Sequence, residues 1–156
     1  MIVRQAMTKA VVAVKPRDSV VHARALLEKH RINQLPVLVD GRLVGIVTDR
    51  DLRDAFPQLL AIPGRPGSGK RFRELEGVNV EDVMTRNVAC ITPEDTVLEA
   101  VRILRRERIG ALPVIAEGQL AGILSRSDVL DAYATIASRL GGGHDNPAKH
   151  PHPGTA

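Results

Sequence analysis

The sequence predicts an α+β fold: two copies of a strand, helix, strand, strand, helix unit, packed sheet to sheet with pseudo-twofold symmetry. Three observations predict it. First, sliding the 156-residue chain along itself by 77 positions aligns Met7-Thr8 with Met84-Thr85, Leu35-Pro36-Val37 with Leu112-Pro113-Val114, and Gly45-Ile46 with Gly122-Ile123 without a gap. Of the 49 positions in 7–55 and 84–132, 20 are identical, which marks a duplication. Second, each copy holds both short β-rich runs and an amphipathic helical stripe. Third, a unit of about 50 residues left alone exposes most of its apolar surface, so the two units are expected to form one body.

Each copy begins with a β-rich run, Val11 to Val14 or Val88 to Ile91, followed by Pro16 or Pro93 and an acidic residue that opens a helix. Thr96 and Glu99 have capping-box spacing. The helices place Val20, Ala23 and Leu27, and Val97, Ala100, Val101 and Leu104, on core-facing stripes. Pro36 to Val39 and Arg42 to Val47 then read as a hairpin about Asp40-Gly41, with Glu117-Gly118 as the second turn. A last helix runs from Thr48 to about Phe56 in one copy and from Ser125 to about Leu140 in the other. The organisation expected is a first repeat over 1–56, a flexible linker over 57–79, a second repeat over 80–140 and a disordered tail over 141–156.

Composition excludes several classes of function. With two Phe, one Tyr and no Trp, the core must be aliphatic, and the interleaved aromatic platforms of single-strand nucleic-acid binders are missing. The net charge of +4 reads as a solvated basic surface and not as a nucleic-acid footprint. Cys90 is the one cysteine, which excludes an internal disulfide and a multi-thiolate zinc site, and its apolar neighbours predict a buried thiol. No signal-like segment opens the sequence and no apolar run approaches the roughly 20 residues of a membrane span, so a cytoplasmic protein is expected.

The chemistry concentrates in Gly45-Ile46-Val47-Thr48-Asp49-Arg50-Asp51 and Gly122-Ile123-Leu124-Ser125-Arg126-Ser127-Asp128. Each puts a hydroxyl and, three residues later, a carboxylate at a helix mouth directly after a strand. Unpaired N–H groups there attract phosphate, and a carboxylate can accept both hydroxyls of a ribose. The same spacing also caps a helix with no ligand involved. Its presence twice, after the same glycine, points to a pair of clefts.

The ordered set of Met-Thr, Pro-x-Asp, Leu-Pro-Val, a turn glycine and Gly-Ile-x-Thr/Ser-x-x-Asp, found twice across residues 3 to 137, resembles the tandem cystathionine β-synthase (CBS) domain family. Within it, residues 45–55 and the opening Met-Ile-Val most resemble bacterial acetoin-utilisation accessory proteins. The resemblance implies a homodimeric regulatory module that needs no cofactor and has no metal site or catalytic residue. It would bind an adenosine compound such as AMP, ADP, ATP or S-adenosylmethionine and report occupancy to a protein partner or to its own dimer. By position, Asp51 and Asp128 would hold ribose, Thr48 and Ser125 would meet ribose or phosphate, and Arg50 and Arg126 would stand beside them. Lys9, Val11, Gln34 and Pro36, and Arg86, Val88, Ala111 and Pro113, would enclose the base. The chain departs from some members in carrying Asn33-Gln34 and Gly110-Ala111 where a phosphate-facing base can stand. Because Asp49 in one copy is Arg126 in the other, the cleft of Ser125 and Asp128 is expected to hold anions more tightly.

A second reading stays open: a protein- or RNA-interaction module with closed clefts that docks through Arg102, Arg105, Arg106 and Arg108. Hydrolysis of nucleotides is disfavoured. The segment from Gly64 to Arg71 approaches a phosphate-binding loop, but Arg71 replaces the required Ser or Thr and Pro66 removes an N–H, so it reads as basic linker. His144, His150 and His152 lie in a glycine- and proline-rich tail that supplies no fixed metal geometry.

Overall fold

The two hairpins form as their turn residues dictate. In a computed structural model that describes residues 1–56, 73 and 75–140, β1 (Gln34–Val39) pairs antiparallel with β2 (Arg42–Thr48), and β3 (Ala111–Ala116) with β4 (Gln119–Ser125). Asp40 and Gly41 have φ of 49° and 77°, and Glu117 and Gly118 have 52° and 77°. Two successive positive φ values match the right-handed twist of the flanking strands, and glycine takes the second without strain.

Helix α1 (Val3–Ala6) precedes the first repeat, in which α2 (Val20–His30) leads into β1 and α3 (Asp49–Ala55) follows β2. In the second, α4 (Val97–Glu107) leads into β3 and α5 (Arg126–Leu140) follows β4. The N-caps of α2 and α4 are Ser19 and Thr96, whose side chains accept the N–H of His22 and Glu99. The acidic residues expected to open these helices act one step earlier: Asp18 and Asp95 accept the N–H of Lys15 and Thr92 and close the preceding turn. Both helices end on an arginine in the left-handed region, Arg31 at φ 53° and Arg108 at 55°.

The expected first strand of each copy shrinks to a single residue. Val14 donates to Pro36 O and accepts from Leu38 N, and Ile91 does the same with Pro113 and Ile115. Local bonds from Val11 N to Lys9 O and from Val88 N to Arg86 O bend the chain before the bridge, and Pro16 or Pro93 ends it. Pro36 is tolerated because the outer ladder uses only its carbonyl.

The repeats exchange their leading segments. Val3, fully buried, belongs to the core of Ile91, Ala100, Leu104, Leu112, Val114 and Leu124, with Ala6 and Met7 packed against it. Val80 and Met84 belong to the core of Val14, Val20, Leu27, Leu35, Val37, Val47 and Leu52. Main-chain bonds match the exchange: Val3 N to Asp95 O and Val97 N to Met1 O on one side, Val80 N to Asp18 O and Val20 N to Val78 O on the other. Leu75 is also buried in the first core, so the end of the expected linker is packed structure. Its remainder over 57–72 and at 74, the loop-like motif of 64–71 and the histidines of 141–156 lie outside the described residues.

The exchange explains two repeated dipeptides. Met84-Thr85 crosses Gly45-Ile46, with N–H to carbonyl bonds of 2.9 Å both ways between Thr85 and Ile46, and Met7-Thr8 crosses Gly122-Ile123 with the same pair of bonds. A β-carbon at Gly45 would stand 2.6 Å from Met84 Sδ and 2.9 Å from Thr85 O; at Gly122 it would stand 2.8 Å from Met7 Sδ and 2.9 Å from Thr8 O. Glycine at these two positions is an outcome of close approach. β2 packs against β4 as well, so the halves meet across their sheets.

Candidate functional site

Thr48 ends β2 in extended conformation (φ −112°, ψ 159°) and caps α3. Its hydroxyl accepts the N–H of Asp51 (3.1 Å), while its own N–H and hydroxyl donate to Asp51 Oδ2 (2.9 and 2.7 Å). Ser125 and Asp128 repeat this at α5, with donations of 2.6 Å to Oδ2. The capping use of these residues is therefore real, and it holds each carboxylate in one orientation. The copies differ at the other oxygen: the Thr8 hydroxyl donates to Asp128 Oδ1 (3.2 Å), whereas Asp51 Oδ1 has no hydrogen bond among the described residues.

Each carboxylate stands at a cleft walled by the opposite repeat. The first cleft, about 490 Å³, joins Thr48, Arg50 and Asp51 to Thr85, Asn87, Val88 and Ala89 and to Glu107 through Ala111. The second, about 530 Å³, joins Ser125, Arg126 and Asp128 to Thr8, Ala10, Val11 and Val12 and to Arg31 through Gln34. Both volumes fall within the range of small-molecule sites.

Of the residues singled out from sequence, Thr48, Arg50, Asp51, Val88 and Ala111 line the first cleft and Val11, Ser125 and Asp128 the second, while Gln34 and Arg126 line both. Four stand elsewhere. Pro36 and Pro113 are fully buried in their strands behind the cleft walls. Lys9 is exposed away from both cavities, its carbonyl used by Val11 N. Arg86 donates to Glu81 O and lies with Arg42 and Cys90 in a separate recess of about 300 Å³. Thr8 and Thr85 were missed as cleft residues; the signal was the Met-Thr dipeptide at the same offset in both copies.

The expected electrostatic contrast between the clefts also changes. Asp49 is no bare carboxylate, since Arg24 binds one of its oxygens and Arg53 Nε lies 2.9 Å from the other. Arg126 does not belong to the Ser125 cleft alone: its N–H donates to Gly110 O (3.0 Å) and its Nε to Ile109 O (3.2 Å), which carries the side chain along the wall of the first cleft. Cys90, expected in the core, is exposed; its Sγ faces Val88 O at 3.4 Å, and partial burial raises the thiol pKa. Among the described residues, no group of three or more His, Cys, Asp or Glu side chains could hold a metal, and no helix is long and apolar enough to cross a membrane.

Exchanged leading segments and two clefts that each take walls from both copies define a paired-repeat module. The chain belongs to the CBS domain family, whose model matches residues 3–58 and 80–135. It is 34% identical over 138 residues to a CBS domain-containing protein of Dictyostelium discoideum, covering 86% of this chain and 92% of that one. It is 38% identical over 120 residues to inosine-5'-monophosphate dehydrogenase of Korarchaeum cryptofilum, of which it spans 21%. The likeness is to the CBS part of that dehydrogenase, so its activity is not carried over to this chain. Among solved structures, CBSX2 in complex with AMP superposes with a TM-score of 0.72 at 32% identity, covering 86% of this chain and 97% of that one. A Vibrio cholerae protein of acetoin utilization, AcuB, superposes with a TM-score of 0.74 and 92% and 98% coverage; at 23% identity that likeness speaks for the fold alone.

Proposed function

We propose that this protein is a non-catalytic regulatory sensor that binds an adenosine compound, AMP, ADP, ATP or S-adenosylmethionine, in the clefts between its repeats and passes occupancy to a protein partner in the cytoplasm. The observation that carries the reading is the oriented carboxylate lining each cleft: Asp51 is held through Oδ2, its Oδ1 has no hydrogen bond among the described residues, and it would accept a ribose hydroxyl. The AMP complex of CBSX2, a relative of the same fold at 32% identity, supports an adenosine ligand. Phosphate would meet arginine, with Arg108 and Arg126 lining the first cleft and Arg31 and Arg126 the second, in place of the base missing at Asn33-Gln34 and Gly110-Ala111. The interaction-module reading loses ground on α4, where Arg102 pairs with Glu99 and Arg106 with Glu107, leaving less of a basic stripe.

The functional unit is a homodimer in this reading. Leu130, Tyr133 and Leu140 are 67%, 71% and 83% exposed along one face of α5. An antiparallel pair of these helices crossing at the level of Thr135 would set Leu130 against Leu140 of the partner subunit and Tyr133 against Ala137 of the partner subunit. Such a self-complementary patch suits a twofold interface.

A thermal-shift panel of AMP, ADP, ATP, S-adenosylmethionine, NADH and Mg²⁺ tests the sensor. A ligand at a hundredfold its Kd stabilises by about 2.7 kcal/mol. The expected result is a shift with at least one adenosine compound and none with Mg²⁺ alone; no shift with any of them refutes the reading. Light scattering tests the dimer, which Tyr133→Glu is expected to convert to monomer.

A further inference from the structure

We propose that Arg126 is a single cation shared by the two clefts, so that an anionic ligand in one draws it away from the other and phosphate-bearing ligands fill the pair with negative coupling. The inference rests on the sensor reading and adds to it a rule for how the clefts fill. Asn33, Gln34, Gly110 and Arg126 line both cavities, and Arg126 is the charged one of the four. Its backbone sits at the mouth of the second cleft, beside Ser125 and Ser127, while its side chain lies along Ile109 and Gly110 in the wall of the first. The terminal amino groups make no hydrogen bond to a described residue, and no carboxylate of a described residue pairs with the guanidinium.

Pseudo-symmetry would ordinarily supply a second such group, and here it does not. The equivalent of Arg126 is Asp49, whose carboxylate is held by Arg24 and Arg53. Arg31 and Arg108, by contrast, are equivalent residues in the same left-handed cap conformation, one at each cleft, so they serve the two alike. One guanidinium can give a bidentate pair of hydrogen bonds to one phosphate at a time. A ligand without phosphate makes no such demand, which separates the two classes of ligand. Coupling of this kind is reciprocal: whichever cleft fills first weakens the other by the same factor.

Calorimetric titration of adenosine and of AMP into the wild type, Arg126→Ala and Arg126→Lys tests the proposal, with the adenosine data as the reference within each protein. In the wild type the second AMP is expected to bind more weakly than the first, by about tenfold beyond any gap seen with adenosine. Arg126→Lys, which keeps the charge, is expected to retain the extra gap, and Arg126→Ala to lose it. AMP and adenosine gaps that agree in the wild type, an extra gap that survives Arg126→Ala, or a single AMP per chain that stays single in Arg126→Ala would overturn the shared arginine and leave the sensor intact. If neither adenosine nor AMP binds any of the three proteins, this inference falls, and the sensor reading stands or falls separately on the thermal-shift panel.

Discussion

Gly45 and Gly122 have no side chain because another backbone passes where a β-carbon would be. The obstacles are the carbonyls of Thr85 and Thr8, each at 2.9 Å, which cannot swing aside as a flexible side chain would. Gly45→Ala is therefore expected to cost about 1–3 kcal/mol, the range for overpacking a dense interior, and to lower Tm in a thermal melt. Gly118→Ala probes a different cause, since nothing lies within 4 Å of its β-position and only the positive φ of 77° resists substitution. At the clefts, Asp51→Asn preserves the shape of the cap while removing the charge that would accept the ribose hydroxyls. It is expected to weaken adenosine binding in the first cleft about tenfold or more by calorimetry, the scale of hydrogen bonds to a charged group. Asp95 titrates in its own way: the N–H of Thr92 and then its hydroxyl hold the carboxyl below the ordinary aspartate range. A depressed folded-state pKa means that its contribution to stability is complete above the unfolded-state pKa and is lost as pH falls through the folded-state value. Asp95→Asn is accordingly expected to reduce the acid sensitivity of Tm on the most acidic limb of the pH profile.

Among the elements, α1 has only four residues and an outsized role. Four residues cannot hold a helix by their own hydrogen bonds; what fixes it is the seating of Val3 in the second core and its main-chain bonds to the turn before α4. Val3→Ala is expected to destabilise by about 1–3 kcal/mol in denaturant titration, although sequence position alone would class it as a fraying end. The stretch at Val80–Asp82 repeats this docking in the first core. The sequence anticipated the hairpins, the stripes of α2 and α4 and the mouths of α3 and α5, because turn residues and periodicity are local signals. It overstated the runs at 11–14 and 88–91, because β-propensity reports a side chain's fit to a sheet and does not count ladder partners.

The whole molecule is two halves that cannot be separated along the chain. Each repeat lends its leading segment to the other's core, so a fragment of 1–56 carries Val3 without its core and lacks Val80 and Met84. Neither 1–56 nor 80–140 expressed alone is expected to show a cooperative melt, whereas the full chain should unfold in one transition seen alike by circular dichroism and calorimetry. The same exchange brings Thr8 to Asp128 and the segment at 85–89 to Asp51, so it completes the clefts as well as the cores.

The duplication, its register and the paired hydroxyl-carboxylate motifs were all present in the amino-acid string, since each depends on residues close in sequence or on identity at a fixed offset. The direction of each side chain was not. Lys9 and Arg86 look suited to a phosphate and stand away from the clefts, Pro36 and Pro113 fall behind the walls, and Arg126, read as the property of one cleft, lies along both. Such placements follow from which repeat crosses which, and that crossing is set by long-range packing of Met7 and Met84 against glycines more than 35 residues away in the chain.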